Sequence, residues 1–80
     1  MKNMNSKYLD FVHIEDKPKT KVWDVQSKVH GFSLGRIKYC GALKKYSFYP
    51  HEGMLFGVGD LREITGFLAD EEEIRKAKYD

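Results

Sequence analysis

The side chains able to do chemistry in this sequence are few and scattered. His13, His30 and His51 supply groups that exchange protons near neutral pH. His30 falls in a turn and His51 follows Pro50, and no nucleophile or carboxylate recurs at a fixed spacing from any of the three. They read as ordinary surface histidines. Cys40 is the single cysteine, which rules out an intramolecular disulfide and a cysteine-based zinc site. Lys38, Lys44 and Lys45 are near it in sequence and would lower its pKa. A partly buried thiol at a strand end is the preferred reading.

Two further patterns touch on ligand chemistry. Gly57-Val58-Gly59 precedes a helical segment, and a helix N-terminus can hold an anion. There is no third glycine, no lysine-serine pair and no βαβ context, so the pattern reads as a strand-to-helix turn. Asp70-Glu71-Glu72-Glu73 lacks calcium-loop spacing and reads as a solvated helix face. No metal or cofactor is expected. With no catalytic constellation, neither is enzymatic activity.

The richest constellation is basic: Arg36, Lys38 and Lys45 with Tyr49 and the loop residue Lys44. Lysine and arginine neutralise phosphates, and tyrosine stacks on bases, which suits a single-stranded nucleic acid. Antiparallel sheets also leave one polar face in water, and edge lysines discourage aggregation, so a merely solvated face is the simpler reading.

These residues need elements to position them. Tyr8 to Ile14 is β-branched and aromatic, and reads as a first strand. Glu15 to Lys19, with Pro18, forms a turn. Thr20 to Ser27 alternates with the period of a strand. Leu34 to Tyr39 and Lys45 to Tyr49 are further strands, the last stopped by Pro50. Met54-Leu55-Phe56 is a candidate for a short closing strand. Connections this short require antiparallel pairing.

The last third predicts a helix. Leu61, Ile64, Phe67 and Leu68 form one apolar stripe. Asp60 with Glu63 resembles a capping box, with Gly57 as the cap of a slightly earlier start. Gly66 within the stripe suggests close packing against the sheet. Acids before bases from Asp70 to Lys78 favour extending the helix by i,i+4 pairing, and the tail can equally fray.

Register follows from bringing apolar residues together. A two-residue loop at Gly41-Ala42 sets Ile37 against Tyr46 and Gly35 against Phe48. A three-residue loop Val29-His30-Gly31, with Gly31 left-handed, sets Trp23 against Ile37 and Val25 against Gly35. The core face is then Trp23, Val25, Ile37, Tyr39, Tyr46 and Phe48, covered by Leu61, Ile64, Phe67 and Leu68. Arg36, Lys38, Lys45, Ser47 and Tyr49 share the other face.

At 80 residues the chain holds one domain, residues 1–80. Its core spans about 8–69, leaving 1–6 and 70–80 as flanks that can be flexible. Five Phe, five Tyr and Trp23 supply a core without staples. Charge is uneven. Residues 17–46 hold eight bases and one acid, a net +7, and 50–80 hold eight acids and four bases, a net −4. Such asymmetry can mark a surface for an anionic partner. No apolar run is long enough for a membrane span or a signal peptide, and the lone cysteine fits a reducing compartment, so a cytoplasmic location is expected. Met1 or Met4 can serve as the start.

Leu34-Gly35-Arg36-Ile37-Lys38-Tyr39, then Lys45-Tyr46-Ser47-Phe48-Tyr49-Pro50, then Phe56 and Leu61 to Leu68, together resemble an uncharacterised group of short bacterial and phage proteins. Their pattern runs L-G-x-I-K-W-Y, W-R-Q-Y-x-F-F-P, then F and C-L-x-E-I-x-x-F-I. Lys19 to Trp23 resembles their early strand. Tyr39 and Leu43 stand in place of Trp, Lys44-Lys45 in place of Arg-Gln, and Asp60 in place of Cys. The resemblance covers most of Tyr8 to Leu68. It implies a compact sheet-plus-helix fold and a bacterial or mobile-element origin, and carries no mechanism.

The expectation is therefore an α+β domain: an antiparallel, twisted meander of four or five strands with one C-terminal helix packed on one face. The expected function is a small protein-interaction or regulatory module, working through the hairpin tip Cys40 to Lys45 or an exposed sheet edge. The alternative is a nucleic-acid-binding module that uses the basic face. A protein partner is expected, nucleic acid is a second candidate, no membrane is involved, and the chain is a monomer or a homodimer.

Overall fold

A computed structural model describes residues 7–79 of the chain. Strands β1 (Leu9–Asp16), β2 (Lys21–Ser27), β3 (Ser33–Cys40) and β4 (Lys45–Pro50) are followed by one helix, α1 (Val58–Tyr79). The strands pair antiparallel in the order β1-β2-β3-β4, a meander. The α+β architecture expected from the sequence is the one observed. There are four strands: residues 54–56 lie in irregular chain between β4 and α1 instead of closing the sheet. The flank 1–6 falls outside the described residues.

Between β2 and β3 the predicted pairs Trp23 with Ile37 and Val25 with Gly35 are both present. They arise by a different route. Ser27 N donates to Phe32 O, so the loop is residues 28–31, one longer than expected. A bulge between Val25 and Gln26 takes up the extra residue and restores the register. The residue left over is Leu34, which the bulge turns into the core, where it is buried. Gly31 adopts the expected left-handed conformation at φ 80°.

Between β3 and β4 the register differs from expectation. Ile37 pairs with Phe48, Tyr39 with Tyr46 and Gly35 with Pro50. The loop is residues 41–44, closed by Lys44 N donating to Cys40 O at 2.8 Å, with Lys44 left-handed at φ 58°. A two-residue slip preserves which side chains share a face. The observed register brings Tyr39 and Tyr46 edge to face at 5.9 Å, with Trp23 against Tyr46 at 5.7 Å. It also presses β4 onto Gly35, where a Cβ would stand 2.4 Å from the Tyr49 carbonyl oxygen.

The helix begins one turn before Leu61. Leu61 N donates to Gly57 O, and Gly57 N donates to Asp60 Oδ2 at 3.0 Å, so Gly57 is the cap and Asp60 closes the box. Glu63 is not part of it. Its carboxylate accepts from the backbone amides of Lys7, Tyr8 and Leu9, at 2.9 to 3.3 Å.

The buried helix face is Ile64 and Phe67, with Leu68 partly buried; Leu61 is 49% exposed. Phe67 stacks on Phe11 at 4.3 Å and meets the edge of Trp23 at 4.9 Å. A Cβ added at Gly66 would meet nothing within 4 Å, so this glycine faces away from the sheet. Farther along, Glu72 accepts from Tyr46 N, and the Arg75 guanidinium lies 4.9 Å from the Tyr39 ring centre. The helix thus crosses the sheet from β1 to β4. It runs on through the acidic segment: Asp70 and Glu73 are solvated as expected, but Glu71 is buried and Glu72 is tied to β4.

Candidate functional site

The basic residues singled out from sequence fall on the sheet face away from α1. Strand alternation puts Arg36, Lys38 and Cys40 of β3 beside Lys45, Ser47 and Tyr49 of β4, in the cross-strand pairs Arg36 with Tyr49, Lys38 with Ser47, and Cys40 with Lys45. Lys44 precedes β4 in the turn. Arg36, Lys38, Lys44 and Lys45 are exposed. The Lys38 ammonium lies 4.8 Å from the Tyr49 ring centre, a cation–π contact that keeps the ring partly covered.

Cys40 belongs to the same surface. Its thiol pKa is lowered, first by the backbone N–H of Leu43, then by the Tyr49 hydroxyl and the Ala42 N–H, with partial desolvation opposing them. Donors in the turn favour the thiolate. The lysines expected to do this are not the cause. The same contact with Cys40 raises the Tyr49 pKa, with desolvation adding to it.

A polar chain lies next to this patch. Ser33 Oγ donates to Asp24 Oδ1 at 2.7 Å, Gln26 donates to Asp24 Oδ2 at 2.8 Å, and His51 Nε2 is 3.0 Å from Ser33 Oγ. Serine, histidine and aspartate together suggest a hydrolytic triad, but the order is different. In a triad the histidine stands between the other two and takes the hydroxyl proton. Here the Ser33 hydroxyl donates to the carboxylate, and His51 Nε2 approaches the same oxygen from outside the pair instead of standing between serine and aspartate. The chain braces the start of β3 against the loop after β4.

The other candidates are dispersed. His13 contacts Asp16 at 3.0 Å, and His30 stacks on Phe32 at 5.3 Å. Among the described residues no group of His, Cys, Asp and Glu is arranged to hold a metal ion. At the Gly57-Val58-Gly59 turn, the Asp60 carboxylate already occupies the Gly57 amide. No described helix is long and apolar enough to cross a membrane.

A second surface went unread in the sequence. At the opposite end of β3 from the 41–44 turn is a cleft of about 450 Å³, lined by Tyr8, Leu9, Phe32, Leu34, Met54 and Leu55 among others. Leu55 is 92% exposed and Val29, also on its wall, is 76% exposed. Assigning Met54 to Phe56 to a strand concealed it. The available signal was an apolar triplet between Gly53 and Gly57 too short to make a dependable strand. No family model, curated protein or solved structure matches the chain.

Proposed function

We propose that this chain is a small, non-enzymatic protein-interaction module of bacterial or phage origin that docks its partner at the apolar cleft. The observation that carries this reading is the exposure of Leu55 and Val29 beside a concave apolar surface. Scattered apolar side chains are normal on a surface, but a contiguous set around a cleft favours a partner that takes it out of water. The cleft therefore replaces the hairpin tip as the favoured surface, although Leu43 at that tip is also exposed. The edge of β4 is a poorer candidate, because Glu72 already occupies the Tyr46 amide and Pro50 ends the strand.

The test is affinity capture from a bacterial lysate with the wild-type chain, Leu55→Asp/Val29→Asp, and Lys38→Gln/Lys45→Gln, each checked for a native melting transition. A protein retained by the wild type and the lysine variant but lost with the cleft variant supports the reading. Retention that is equal in all three sinks it. Sedimentation of the purified chain shows whether the partner is a second copy.

A further inference from the structure

We propose that the outer face of β3 and β4 binds single-stranded nucleic acid along its phosphate backbone. The face presents one cation on each of three successive outward-facing rungs: Arg36 opposite Tyr49, Lys38 opposite Ser47, and Lys45 opposite Cys40. Rungs two residues apart are separated by about 7 Å, comparable to the span of one nucleotide in an extended strand. Lys44, in the turn, continues the row. No acid lies on the outer face of either strand, and Arg36, Lys44 and Lys45 make no ion pair with any described residue. Asp24, across from Arg36 on β2, has its carboxylate held by Ser33 and Gln26.

Tyr49 gives the row an aromatic surface. Lys38 now rests on its ring. A bound strand would draw the ammonium to a phosphate and leave the ring to a base, exchanging an exposed cation–π contact for a stack and an ion pair. Duplex is disfavoured by the same architecture. The helix, the element best shaped to enter a groove, lies on the opposite side of the sheet and exposes Asp70 and Glu73. The face is separate from the apolar cleft, so this site and the protein-docking surface stand or fall independently.

The test is fluorescence anisotropy of labelled oligo-dT, an unstructured RNA, a duplex of equal length and heparin across a salt series. Four phosphate contacts give a slope of log affinity against log salt of about −3 for single strands. Lys38→Gln/Lys45→Gln should lower affinity at least about tenfold at low salt and bring the slope to about −1.5. Tyr49→Leu should lower affinity several-fold while keeping the slope. These side chains are exposed, and each variant's thermal transition verifies its fold. No binding at low salt overturns the proposal. So does binding that survives the double lysine variant, or duplex or heparin bound as tightly as the single strands.

Discussion

Glu72, on the second half of α1, accepts a hydrogen bond from the backbone N–H of Tyr46 on the edge strand β4. Glu63, nine residues earlier, takes the amides of Lys7, Tyr8 and Leu9 at the start of β1. The two carboxylates fasten the helix to the backbone at both edges of the sheet. In doing so they satisfy amides that a four-stranded meander leaves without strand partners.

Glu72→Ala should therefore cost more than an ordinary surface change. It strands a part-buried amide and removes the Arg75 contact at 3.4 Å. The expected loss is about 1–3 kcal/mol, which corresponds to several degrees of melting temperature for a chain this size. Glu72→Gln, which keeps an acceptor, should lose less. Urea titration of the two variants measures the difference, and equal losses would mean the hydrogen bond is not what holds the helix.

Lys44→Gly should stabilise the protein. Lys44 and Gly31 close loops of the same length, each left-handed and each donating its amide to the last residue of the preceding strand. Only at 44 does a side chain bear the cost of that conformation, about 1 kcal/mol. The complementary change, Gly31→Ala, should destabilise by a similar amount. Chemical denaturation midpoints test the pair.

Gly66→Ala should also stabilise, by about 1 kcal/mol, because the site is exposed, helical and open around the added methyl. Gly35→Ala should do the opposite, and more strongly. Its φ is 156°, and the new methyl would meet the Tyr49 carbonyl and the Pro50 Cα, both backbone atoms that cannot rotate away. Overpacking of this kind costs on the order of 1–3 kcal/mol or more. Thermal melts of both variants would show shifts of opposite sign.

Cys40 should alkylate as an activated thiol. Its pKa is lowered in the fold, so the rate of iodoacetamide labelling should reach half its maximum at a lower pH than for a cysteine in an unstructured peptide. Tyr49→Phe removes one of the donors and should move that midpoint upward. The linked stability is present above the unfolded thiol pKa and fades as pH falls through the folded one. Tyr46 acts in the reverse sense. Burial raises its pKa, so its contribution holds below the unfolded tyrosine pKa and is lost as pH rises through the folded value. Ultraviolet titration of the tyrosines in wild type and Tyr46→Phe separates the two effects.

Sequence alone determined four antiparallel strands followed by a helix, their order and which strand residues face together, because alternation and short connections admit little else. It left a fifth strand at 54–56 and the helical tail open. It determined that Arg36, Lys38, Lys45 and Tyr49 share a face, and this survived a two-residue error in the β3–β4 register because the strand period is two. Only the tertiary structure decided what depends on where segments meet. The length of the 41–44 loop depends on the packing of Tyr39 against Tyr46 and on a strained Lys44. The burial of Leu34 depends on a bulge. Glu63 and Glu72 bond to residues 54 to 56 and 26 positions away, distances at which no local pattern signals a contact. The cleft likewise exists because Met54 and Leu55, distant in sequence from Leu9 and Leu34, come to rest beside them without forming a strand.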